Sequence, residues 1–109
     1  MFEQGTIVLI PFPFTDLSGA KVRPTLVVSS RLKGEDVVVV FISSVRPKKN
    51  EAADVSVKAS RINGLKADSI IKCAKIATLD KKMILGEIGI LEKDIMKKVS
   101  SALKKILEL

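Results

Sequence analysis

The sequence predicts a mainly β chain with a C-terminal α-helix, its strands forming a small, strongly bent sheet of the SH3-like barrel kind. Three observations predict it. Short runs rich in Val and Ile, bounded by Gly, Pro, Asp or Ser, recur from Ile7 to Ile90, which is the pattern of strands and tight turns. Beyond them the period changes: Leu91, Ile95, Val99, Ala102, Leu103 and Ile106 recur at three- and four-residue steps, one stripe of an α-helix. A length of 109 residues, 47% hydrophobic and 28% charged, suits one folded domain covering 1–109.

Ile7, Val8, Leu9 and Ile10 make the first strand. Pro11 and Pro13 cannot donate to a ladder and are expected to halt it. A long loop should follow, in which Phe12 and Phe14 flank Pro13, while Asp16, Ser18 and Gly19 are turn formers. Lys21 and Arg23 then stand in that loop just before Pro24 and the second strand, Thr25 to Ser29. A loop held by strands at both ends and carrying two cations is a common way to build a site.

Arg31 to Asp36, with Gly34, reads as a hairpin connection to Val37–Ile42. The latter run, VVVVFI, is continuous rather than alternating and should be a central strand buried on both faces. Ser43 and Ser44 end it, and Val45 to Ala53 is a loop with three cations. Asp54 to Ala59 alternates Val55 and Val57 against Asp54, Ser56 and Lys58, the pattern of a half-exposed strand. Arg61 to Gly64 turns the chain. Ser69–Cys73 is a further strand that Lys75–Leu79 continues irregularly, and Ile84–Ile90 is the last, with Gly86 and Gly89 marking a bulge or bend. On the helix, Leu91 is placed to staple onto Met96, Asp94 suits the positive end, and the lysine-rich face reads as solvated surface.

Charge and composition narrow the chemistry. Nineteen Lys and Arg against twelve Asp and Glu give +7, an excess that attracts polyanions such as nucleic acid. The longest apolar run, Val37–Ile42, is far short of the roughly 20 residues that cross a bilayer, so a soluble cytoplasmic protein with no membrane partner is expected. Cys73 is the only cysteine and there is no histidine. That forbids an intramolecular disulfide or a thiolate zinc cluster, leaves transition-metal chemistry poorly supported, and leads us to expect no cofactor. A domain this small is a natural candidate for a homo-oligomer.

Two segments carry a resemblance. The order GTIVLIPFPF, TDLSGAKVRP, TLVVSS at the N-terminus, and ATLDKKMI at 77–84 with its Thr-hydrophobic-Asp step before a short helical turn, resemble the two signatures of the MazF/PemK family of toxin endoribonucleases. The resemblance covers most of the chain. It implies an SH3-like barrel, a homodimer, metal-independent cleavage of single-stranded RNA at a short sequence, and an acidic antitoxin protein as partner. It also implies a role for Arg23, the Arg of the Arg-Pro step, as a catalytic residue. A planar guanidinium can hold two phosphate oxygens and stays charged throughout the reaction. The family's hydroxyl partner after the third strand is matched by Ser43 or Ser44, which the sequence does not distinguish. Lys21, Lys48, Lys49, Lys72 and Lys75 fall in or beside the loops that the resemblance places around RNA. Phe14, with Phe12, offers a stacking platform or a core side chain, and Asp16 joins that first loop or caps its turn.

The chain departs from the family pattern in the late strand. Some members place Arg and Asp around a Cys, where this sequence has Lys72-Cys73-Ala74. Ala74 has no acid–base function, and Cys73 reads as a small buried core residue. Two other readings stay open: a non-catalytic RNA-binding module on the same fold, and a gyrase-poisoning toxin resembling the CcdB family. The second is disfavoured, because that family ends in a Trp-Gly step, whereas this chain has no Trp and ends Ile106-Leu107-Glu108-Leu109.

Overall fold

The computed structural model describes residues 2–12, 21–44 and 52–109. Six strands, β1 (Thr6–Phe12), β2 (Lys21–Ser29), β3 (Asp36–Ser43), β4 (Asp54–Val57), β5 (Ser69–Asp80) and β6 (Gly86–Ile90), are followed by one helix, α1 (Lys93–Ile106). They form one sheet in the order β4-β5-β3-β2-β1-β6, antiparallel at every pairing. The register shifts in three of these pairings: at Ile7/Val8 against β6, Val27/Ser29 against β3, and Val40/Phe41 against β5. Such bulges sharpen twist and bend, and they curl the sheet into a half-barrel. The bulge opposite Ile7/Val8 leaves Ile88 unpaired, between Glu87 and Gly89, beside one of the two glycines that suggested a bulge or bend. A Cβ on Gly89 would lie 2.4 Å from the Ile62 carbonyl oxygen, so the turn at 61–64 packs where only glycine leaves room.

Two expectations about the first strands are corrected. Pro11 does not halt β1, which runs on to Phe12, and Lys21 and Arg23 lie in β2 rather than in the loop before it. Hydrogen-bond direction explains both. The Leu9 carbonyl accepts from Leu85 N at 2.8 Å, so the polar backbone of Leu9 faces β6 and its pairing with Pro24 is of the non-hydrogen-bonded kind. Pro11, two residues on and opposite Val22, has the same parity. Neither proline is therefore asked for an N–H by the β1–β2 ladder, and both can sit within a strand.

The sheet packs differently on its two faces. On one, Ile7, Leu26, Val40, Ile42 and Ile71 meet Leu91, Val99 and Ala102, with Ile95, Met96, Leu103 and Ile106 packed alongside. The predicted helical stripe is thus the buried one, and Leu91 and Met96 share a cluster as the staple requires. Each fully buried Ile, Leu or Val contributes about 1.5–3 kcal/mol to this face. On the other face, Val8, Ile10, Val27, Val37, Val39 and Leu79 form a smaller cluster with Phe2, Phe41 and Ile84 against it. As expected of a central strand, β3 feeds both. Asp80 caps the short 3-10 turn Lys81–Met83, accepting from Lys82 N at 2.8 Å, which is the helical turn read from ATLDKKMI. No helix among the described residues is long and apolar enough to cross a membrane.

A polar cluster pins the 61–64 turn to the start of α1. Asn63 is fully buried, and its Oδ1 accepts from Ser60 N and Leu65 N, both at 3.0 Å. Its Nδ2 donates to Lys58 O at 2.8 Å and to Glu92 Oε1 at 3.1 Å, while Ser60 Oγ donates to Glu92 Oε2 at 2.6 Å. The Ser60 hydroxyl above all, then the Glu92 backbone and Asn63, hold the Glu92 carboxyl below its ordinary pKa against a smaller opposing effect of burial. A depressed pKa makes Glu92 stabilising above its unfolded-state value, and that contribution is lost as pH falls through the folded value. Glu92→Gln should therefore cost under about 1 kcal/mol near pH 7, solvent screening being strong there, and nothing in acid. Melting curves of the two proteins from pH 7 to pH 3 check this: the difference should vanish at the acid end.

Candidate functional site

The face without the helix carries the site. On β2, Lys21, Arg23 and Thr25 alternate onto the same side as Val27 of the smaller cluster. On β3, Phe41 and Ser43 share that side with Val37 and Val39. Thr25 pairs with Phe41, Phe41 with Lys72, and Ile10 of β1 with Arg23. The β2–β3 ladder begins only at Thr25↔Phe41, so Arg23 and Pro24 project past it on one side and Ile42 and Ser43 on the other.

Between these ends opens a cleft of about 220 Å³, lined by Arg23, Pro24, Thr25, Phe41, Ile42, Ser43, Lys72 and Lys75. Its volume suits one phosphate-sized group rather than a wholly enclosed nucleotide. Lys75 reaches it through a bulge: β5 pairs Ile76 with Val40 and Lys72 with Phe41, leaving 73–75 outside the ladder to β3. Such a bulge re-aims side chains.

Of the residues singled out from sequence, Arg23, Ser43, Lys72 and Lys75 come together in the cleft. Ser43 and Ser44 are distinguished: Ser43 lines the cleft, and Ser44 lies exposed beyond the end of β3. Lys21 is exposed at the start of β2, outside the cleft. Phe14, Asp16, Lys48 and Lys49 lie outside the described residues. Lys72 differs from expectation, for its ammonium does not await an anion but is paired with Asp54 Oδ2 at 3.2 Å, the two side chains being 15% and 4% exposed.

Three participants escaped sequence reasoning. Asp54 shares its side of the strand with exposed Ser56 and Lys58 and so read as surface; only its pairing opposite Lys72 across β4 and β5 brings it inward. Phe41 was hidden in a uniform apolar run. Thr25 read as an ordinary strand residue, though its spacing of two from Arg23 was a usable signal. Thr25 is 1% exposed, and its Oγ1, like Arg23 Nε, is buried with no hydrogen-bond partner among the described residues. Cys73 is buried in the helix-side core, and desolvation, helped by the Asp54 charge, pushes its thiol up to about 11. It is a packing residue and not a thiolate nucleophile at neutral pH.

A half-barrel with one closing helix carries a cleft with room for a phosphate-sized anion beside Arg23 and Lys75, and the comparisons with known proteins name the kind of protein. The family model described as the PemK-like, MazF-like toxin of type II toxin-antitoxin systems matches residues 3–107, and the chain belongs to that family. No curated protein matches the sequence. Among solved structures, an endoribonuclease in complex with its cognate antitoxin from Mycobacterial species superposes with a TM-score of 0.79 at 23% identity, covering 100% of this chain and 97% of that one. The Mycobacterium tuberculosis toxin MazF-mt6 gives a TM-score of 0.74 at 22% identity, covering 95% and 97%. MazF from Deinococcus radiodurans gives 0.76 at 18% identity, covering 98% and 96%.

Proposed function

We propose that this chain is the toxin of a type II toxin–antitoxin pair and a sequence-specific, metal-independent endoribonuclease of single-stranded RNA, acting as one domain, as a homodimer, in the cytoplasm. An acidic antitoxin opposes it. The observation that carries this reading is the convergence of Arg23, Ser43 and Lys75 on one cleft, in a chain that carries +7 overall. Antitoxin binding across the same face would exclude RNA.

In the proposed reaction the RNA 2′-oxygen attacks the adjacent phosphorus, its proton is removed, and the 5′-oxygen leaves with a proton, giving a 2′,3′-cyclic phosphate and a 5′-hydroxyl. Charge accumulates on the non-bridging oxygens of the phosphorane, where the Arg23 guanidinium is placed to stabilise it. Ser43 supplies a hydroxyl from the facing strand, and Lys75 an exposed cation that draws in the backbone.

Incubation of the full chain with single-stranded RNA in excess EDTA, with analysis of the product ends, tests the reading. Fragments with 2′,3′-cyclic phosphate ends are expected, and Ser43→Ala but not Ser44→Ala should slow their release. A 3′-hydroxyl product or a requirement for Mg²⁺ would sink the mechanism. RNA that is bound but left intact would make the chain a non-catalytic RNA-binding module.

A further inference from the structure

We propose that Thr25 is a substrate-positioning residue whose hydroxyl, with the Nε of Arg23, forms a two-donor cradle in the cleft for the non-bridging oxygens of one phosphodiester. The proposal rests on reading this cleft as the place where RNA phosphate binds.

Thr25 is nearly completely buried, facing Val8 across β1 and Phe41 across β3. Its setting suits Val, which has the same shape and no polar atom to satisfy. An unpartnered buried hydroxyl costs free energy that the isosteric apolar side chain would not. The orphan is not solitary. Arg23 Nε, on the same strand and two residues away on the same face, is the other buried atom without a partner among the described residues, and both residues line the cleft.

Two orphaned donors on neighbouring same-face residues that line one small cavity call for a ligand with at least two acceptor oxygens. The charge of the wall makes that ligand an anion. Asp54 holds the Lys72 ammonium at 3.2 Å, and Arg23 and Lys75 add two further cations to the lining. A phosphodiester fits: one non-bridging oxygen accepts from Thr25 Oγ–H and the other from Arg23 Nε–H, both charge-assisted bonds. The cost of two unmet donors in the free protein is then recovered on binding, as at other strained functional sites.

Thr25→Val, Thr25→Ser and the parent chain are compared by melting without ligand, by NMR titration with inorganic phosphate, and by single-turnover cleavage of a random-sequence single-stranded RNA pool over a range of protein concentration. Thr25→Val should melt at or above the parent temperature, bind phosphate and RNA roughly ten- to a hundredfold more weakly, and lose cleavage rate most at low protein concentration. Thr25→Ser should recover most of the binding. A Val variant that binds both probes like the parent overturns the proposal, because the hydroxyl then serves no ligand. So does a Val variant that melts lower while Ser fails to restore binding, because the role is then structural. Thr25→Ala provides a second hydroxyl-free variant if the Val form does not fold. Thr25-dependent phosphate binding by a parent chain that leaves RNA uncut supports the cradle and overturns the nuclease reading, so the two failures are distinct.

Discussion

Arg23→Ala should lower single-turnover cleavage on saturating RNA by roughly two orders of magnitude or more, while weakening RNA binding much less. The expectation follows from where the guanidinium sits. Arg23 is only partly exposed, its Nε is enclosed, and it faces Ser43 across a cleft sized for a phosphate. A charge held there acts in a water-poor setting and stabilises most strongly the extra negative charge that the phosphorane acquires. Ground-state RNA, by contrast, is expected to draw also on cations such as Lys75, which lines the same cleft, and on contacts along its backbone. Arg23→Lys should rescue little, because an ammonium is a point charge and cannot offer the planar fork. Folded-state melting accompanies the rate measurement. A folded Arg23→Ala protein that cuts at the parent rate would remove Arg23 from the chemistry.

Asp54→Ala has the largest expected effect on stability, about 3 kcal/mol, or a Tm lowered by roughly 10 °C or more. The carboxylate is 4% exposed, its Lys72 partner 15%, and they meet at 3.2 Å. Removing one member of such a pair leaves the other charge in a poorly hydrated place, which costs more than an exposed ion pair is worth. Lys72 has some relief, since it lines an open cleft and can turn toward water. In doing so it becomes the phosphate contact that its position in sequence suggested. Asp54→Ala should therefore destabilise the fold and at the same time tighten RNA binding, with a salt dependence steeper by about one phosphate's worth. Double-mutant comparison with Lys72→Ala measures the coupling. Additive losses would show that the pair is not energetically linked.

How far this was legible in the sequence depends on the range of the interactions. The helix, the central position of VVVVFI and the turn at 61–64 rest on local patterning and stand as read, while the short turn after Asp80 was implied by the resemblance and its cap is seen only in the structure. Arg23 and the pair Ser43 and Ser44 were singled out through the resemblance to the toxin family, Arg23 also as a cation beside a loop, and only the fold shows that Arg23 and Ser43 line one cleft. Asp54 and Lys72 were misread because their mutual burial depends on β4 lying against β5, a pairing between segments that no periodicity within either one reveals. The prolines misled for a related reason. Whether Pro breaks a strand depends on which side its missing N–H faces, and that is decided by the neighbouring strand.

Pro24 has a consequence beyond tolerance. Its ring nitrogen, which has no hydrogen to give, is turned away from β1 and toward β3, at the step where the β2–β3 ladder stops. The chain thus builds its opening by leaving out one proton, so that two neighbouring strands cannot zip to their ends. An opening of this kind is set by two strands and not by a loop that must swing aside, so an incoming phosphate needs only side-chain adjustments to reach the enclosed Thr25 hydroxyl and Arg23 Nε. Little of the attraction between protein and nucleic acid is then spent on rearranging the receptor, and more of it is left to act on the reacting bond.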